Sequence, residues 1–123
     1  MDDITIKTVE SNNGKLVIVT SDEVIISDGQ TALDFVASMV YEHDCYGIAV
    51  NKAAVAESFF MLSTGVAGEV VQKFVNYQMR FAIIGDFSGY TSKPLQDFIY
   101  ESNKGRHLFF VADEDEAIAR LGE

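Results

Sequence analysis

RFAIIGD, residues 80–86, holds four apolar residues in a row between an arginine and a Gly-Asp pair. A half-exposed strand would alternate apolar with polar, and a buried helix would run longer. A short unbroken apolar run ended by turn residues reads as a strand covered on both faces, the kind found in parallel sheets. YGIAVN (46–51) and HLFFVA (107–112) read the same way. Between these runs the period lengthens. Ala32, Leu33, Val36, Met39 and Val40 recur every three or four residues, giving a helix over about 30–43, with Ser27 and Gln30 at capping-box spacing. A second helix covers 65–76, with Val66, Val70, Val71, Phe74 and Val75 on its apolar side. Glu69 and Lys73 form a favourably ordered i,i+4 pair on it.

Ser92 caps a third helix that has Pro94 in its first turn, and Leu95, Phe98 and Ile99 on one side. Asn103-Lys104-Gly105 closes it. Asp113, with Glu116 three residues on, caps a fourth that turns Ala117, Ile118 and Leu121 inward. KAAVAESFFML, after Asn51, fits no single period. At the start, ITIKTV (4–9) alternates, SNNG (11–14) is turn chemistry, and KLVIVT (15–20) returns as a hairpin partner. The order is ββαβαβαβα over a single domain, 1–123. It predicts an α/β fold with a mixed, mostly parallel sheet and covering helices.

The chain has 123 residues, 48% hydrophobic, with one proline, which suits one packed core. Nine Lys+Arg against nineteen Asp+Glu give a net charge of -10, a sign that argues against nucleic acid and anionic membranes as partners. The single cysteine, Cys45, fits a reducing compartment and forms no internal disulfide. It reads as a half-buried structural thiol rather than a nucleophile paired with His43. With His43 and His107 far apart, no metal-ligand spacing exists, and no cofactor motif is present. The acidic start, MDDITIKTVE, lacks the apolar core of a signal peptide, and no apolar run approaches a membrane span. A cytoplasmic location is the expectation.

Open α/β sheets bind ligands at the carboxyl ends of their strands. There the chain offers GDFSGYTSK (85–93), with Asp86, Thr91, Ser92 and Lys93, and the start of the 65–76 helix, with Ser63, Thr64, Gly65 and Gly68. A helix N-terminus favours anions. Plainer roles stand beside each of these: Asp86 bonding its own loop, Thr91 and Ser92 as caps, and Gly65 and Gly68 as points of close helix–sheet packing.

The element order, with Ser63-Thr64-Gly65-Val66 opening a helix, resembles the STAS fold of bacterial anti-sigma-factor antagonists. That resemblance implies a partner kinase and a phosphorylated hydroxyl. Ser63 falls at the first Ser of the family's Asp-Ser-Ser/Thr-Gly, Thr64 at the phosphorylated position and Gly65 at the Gly, while Leu62 stands in place of the Asp. FFMLSTGVAGEVVQKF (59–74), AIIGDFSGYTS (82–92) and DFIYESNKG (97–105) are similar to a small bacterial family labelled only as a domain of unknown function. This second likeness implies a stand-alone cytoplasmic domain.

The leading expectation is a non-enzymatic regulatory module that binds a protein partner, docking through the start of the 65–76 helix and the 86–93 loop. A phosphate on Thr64 would add charge there. The alternatives are a domain binding an anionic small molecule through Lys93, Thr91 and Ser92, and an enzyme using Asp86. Homodimerisation through an exposed sheet edge, or through Phe59, Phe60 and Met61, is a further expectation.

Overall fold

The computed structural model describes residues 4–123. The acidic start at residues 1–3 lies outside them. The elements run β1 (Ile4–Ser11), β2 (Gly14–Ser21), α1 (Gly29–His43), β3 (Cys45–Asn51), α2 (Val66–Asn76), β4 (Arg80–Ile84), α3 (Lys93–Lys104), β5 (Leu108–Val111) and α4 (Glu114–Leu121). This is the predicted ββαβαβαβα order. The strands lie side by side in chain order; β1 is antiparallel to β2, and the other neighbours are parallel. The fold is therefore mixed α/β with a mostly parallel sheet.

Chain-order strands joined by crossovers of one hand set successive helices on one side of the sheet. Val17, Val19, Ile48, Val50, Phe81, Ile83, Leu108 and Phe110 pack there against α1, α2 and α3. The strand order never reverses, so the sheet lacks the switch-point crevice of doubly wound folds. What opens at its carboxyl edge is set by the connections alone.

α4 covers the opposite face by itself, burying Ala117 and Leu121. That face is lined by Leu16, Ile18, Phe109 and Val111 around Gly47, Ala49 and Ala82. The small central residues let a helix of only two turns sit close. A Cβ on Gly47 would come within 2.8 Å of Leu16 Cδ2 and 3.5 Å of Leu121 Cβ.

Local chemistry explains most element ends. Ser92 caps α3 and Asp113 caps α4, as the sequence predicts. The α1 cap is a correction. It falls on Asp28, whose carboxylate accepts the Thr31 N–H at 2.8 Å, while the Thr31 hydroxyl accepts the Asp28 N–H at 3.0 Å. Thr31 thus fills the role assigned to Gln30, whose amide instead reaches Asp34. KAAVAESFFML and the residues after it form three short 3-10 turns, 52–54, 57–60 and 62–64. A lone parallel bridge, Ile26 with Val55, ties this segment to the connection between β2 and α1.

Candidate functional site

β3 ends at Asn51, and the three 3-10 turns carry the chain across the carboxyl edge of the sheet like a strap. Apolar residues hold the strap down. Phe59 and Phe60 are buried, with their rings edge-on at 5.1 Å. Phe60 stacks on Tyr90 at 5.1 Å, and Phe87 joins Phe60 to Phe110 of β5. These two phenylalanines are therefore core, and the expectation that they form a dimer face is withdrawn. Met61, between them and α2, is 57% exposed.

A polar clasp lies over this aromatic stack. The Tyr90 hydroxyl donates to Glu57 Oε2 at 2.7 Å, and Lys52 Nζ donates to Glu57 Oε1 at 3.4 Å. The Lys52 ammonium also sits 5.2 Å from the Phe60 ring centre and 5.0 Å from that of Tyr90, within cation–π range. Its pKa is held above the ordinary lysine value, first by the Tyr90 hydroxyl and then by the Glu57 charge. Burial pushes the Tyr90 phenol upward too. Both groups thus favour their protonated forms, which suits a structural clasp and not a proton acceptor. Gly85 makes room for it: a Cβ there would lie 2.9 Å from Lys52 Cβ.

Strap and loop enclose an open cleft of about 480 Å³. Phe60, Leu62, Pro94 and Leu95 form its apolar floor, and Ser63, Thr91, Ser92 and Glu57 its polar margin. The 3-10 turn that precedes α2 therefore borders the turn beyond β4, through Ser63 on one side and Thr91-Ser92 on the other, while Gly65 and Gly68 lie outside the cleft lining.

The other expected site residues fall elsewhere. Asp86 lines a separate depression with Phe87, Phe110 and Glu116. Its carboxylate accepts the Ser88 N–H at 2.9 Å and the Ser88 hydroxyl at 2.7 Å, and these bonds lower its pKa. It shapes its own turn. Lys93 pairs with Asp97 one turn along α3, at 2.7 Å. The Ser92 hydroxyl accepts the Leu95 N–H. Thr64 is committed to local structure: its hydroxyl reaches the Ser58 and Met61 carbonyls, both at 2.8 Å, and accepts the Val66 N–H at 3.2 Å.

Gly65 and Gly68 correct the packing expectation. A Cβ on either meets nothing within 4 Å. Gly65 is required instead by its left-handed backbone, φ +79°, which turns the chain into α2. Gly68 faces open space. Cys45 is buried with its Sγ 3.9 Å from the Met39 carbonyl, and burial raises its pKa, as fits a structural thiol.

The sequence reading missed the clasp. Glu57 lies 33 residues from Tyr90, inside the segment without a clear period. One signal was present. Asn51 and Ile84 are register partners, so Lys52 and Gly85 stand side by side just past the ends of β3 and β4, one long, the other with no side chain.

Among the described residues no helix is long and apolar enough to cross a membrane. No curated protein and no solved structure matches the chain. A family model described as "Domain of unknown function (DUF4180)" matches residues 11–121, which takes in every element from β2 to α4. The chain belongs to that family.

Proposed function

We propose that the protein is a non-enzymatic interaction module that docks a protein segment in the strap–loop cleft. The observation that carries this reading is the cleft's composition: an apolar floor, a hydroxyl margin, exposed Met61 in its lining, and one carboxylate, Glu57, tied to Tyr90 and Lys52 at the edge. Both cations near the rim are paired with carboxylates, Lys93 with Asp97 and Lys52 with Glu57. An anionic small molecule would meet no free cation there. The fitting occupant is a segment presenting an apolar side chain flanked by Lys or Arg, which a chain of net charge -10 would also attract. An enzyme built on Asp86 gains no support from a carboxylate held low and tied into its own turn.

A STAS-like regulatory role in the bacterial cytoplasm belongs to the same proposal. It is supported by the leading antiparallel strand, the alternating order that follows, and Ser63-Thr64-Gly65 at the start of α2. A phosphate on Thr64 would remove the hydroxyl proton that ties the strap to the Ser58 and Met61 carbonyls. Its effect would be to loosen the strap beside the cleft, as well as to add charge.

Selection of binders from a random phage-displayed peptide library tests the reading. Enrichment of apolar-plus-basic peptides is expected, with affinity falling at least tenfold in Ser63→Trp, which fills the cleft, and unchanged in Lys104→Ala. Acidic consensus peptides, or binding indifferent to Ser63→Trp, would count against it. A thermal-shift screen of nucleotides and phosphorylated metabolites addresses the small-molecule alternative. A true ligand at 100 times its Kd adds about 2.7 kcal/mol.

A further inference from the structure

The two edges of the sheet differ in how they are finished. β5 is four residues long, and its outward Phe110 N–H is capped by the Asn103 side chain at 2.8 Å. The Asn103 carbonyl is in turn held by the Arg120 guanidinium. That edge is closed. β1 is eight residues long and, among the described residues, pairs only with β2. It has no proline and no bulge, and its one lysine, Lys7, is drawn to Glu114. Of the devices that normally guard an exposed edge, β1 has only charge, on Lys7 and Glu10.

The hairpin fixes which groups are free. Ser11 and Gly14 close a two-residue loop, so they are a hydrogen-bonded pair, and alternate residues Val9, Lys7 and Thr5 also bond to β2. The N–H and C=O of Ile4, Ile6, Thr8 and Glu10 therefore point outward. The side chains of Ile4 and Ile6, 42% and 41% exposed, lie opposite Ser21 and Val19, on the face that carries the α1–α3 core.

We infer that a second copy of this chain occupies this edge, β1 against β1, antiparallel about a two-fold axis at Lys7. In this register Ile4 faces Glu10 of the other copy and Ile6 faces Thr8. Every free N–H and C=O of the four outward residues then finds a partner. Opposite residues also share a face, so the two sheets join as one, with both α1–α3 layers on the same side. The chain carries -10, yet residues 4–11 hold one Lys and one Glu, so the strand itself brings no net charge to a pairing of two copies. The two Lys7 ammoniums meet on the α4 face, where like charges oppose pairing, and each is offset by its own Glu114 and the field of Asp115.

Sedimentation equilibrium of the full chain across a hundredfold concentration series tests this. The expected species is twice the 13.6 kDa chain mass. Thr8→Pro deletes an outward N–H and leaves the β1–β2 ladder whole, so it should weaken association at least tenfold with unchanged circular dichroism. Ile6→Lys should do the same, and decides the matter if Thr8→Pro fails to fold. Lys7→Cys tests the register: facing non-hydrogen-bonded residues lie about 4.5 Å apart at Cα, within disulfide reach. Mild oxidation should cross-link Lys7→Cys between copies and leave Thr5→Cys uncross-linked. A wild-type chain monomeric throughout the series would overturn the proposal. So would folded Thr8→Pro and Ile6→Lys variants that dimerise like wild type, or cross-linking at Thr5→Cys in preference to Lys7→Cys.

Discussion

The α4 face of the sheet and the first turn of α2 both carry glycine, for opposite reasons. At Gly47 there is no space: a Cβ would lie 2.8 Å from one leucine and 3.5 Å from another. At Gly68 there is nothing but space, and at Gly65 the demand is a backbone angle and not a contact. The first region uses the absence of a side chain to bring a short helix down on a sheet that has only small residues at its centre. The second uses it to turn the chain into α2 and leaves the helix surface bare. The same residue type therefore marks core in one place and open surface in the other, and only long-range contacts tell them apart.

Substitution can break this comparison. Gly47→Val should be the most damaging change, costing about 3 kcal/mol, because the branched side chain must displace Leu16 or Leu121 in a packed layer. Urea unfolding measures it, and a loss under about 0.5 kcal/mol, within the range of an ordinary surface substitution, would mean the α4 face is loosely packed. Gly65→Ala should cost about 1–2 kcal/mol through its left-handed backbone alone, although the site is open. Thr64→Ala, which removes the tie beside it, should cost about 1 kcal/mol. Gly68→Ala should change sign, stabilising by about 0.5–1 kcal/mol, because a helix surface position with free space gains from alanine. Thermal melts of these four variants sharpen the contrast, and a destabilised Gly68→Ala would erase it.

The smallest expected effect is alkaline. Lys52 and Tyr90 both have folded-state pKa values above their ordinary ones. Their contribution is fully present below the ordinary lysine and tyrosine values and is lost as pH rises through the raised ones. Urea midpoints measured between about pH 10 and pH 12 should fall more steeply for wild type than for Tyr90→Phe, which removes the phenol and the largest cause of the Lys52 shift. Equal slopes would show the clasp to be energetically idle.

The regular part of the fold was legible in the residues. Unbroken runs such as FAII and LFFV could be little other than covered strands, and Ser92 and Asp113 announced their helices through short-range bonds. Part of the cleft was legible as well: Ser63 and Thr91-Ser92 share it because the connections leaving β3 and β4 must emerge on one edge of a parallel sheet. The clasp was not, because Lys52, Glu57 and Tyr90 come together only once the strap has crossed that edge. Nor was the α1 cap, where Asp28 and Thr31 close their reciprocal bonds one residue later than the Ser27–Gln30 spacing. Local pattern carried the elements, and the tertiary crossing carried the chemistry.

The most direct test maps a selected peptide onto the 15N-labelled protein by amide chemical-shift perturbation. The account predicts shifts at 57–63 and 89–92, on the two walls of the cleft, with the region of Arg80, Arg106 and Glu123 at the far end of the strands unmoved. Perturbations centred on that far end, with the strap and the 89–92 loop silent, would contradict it.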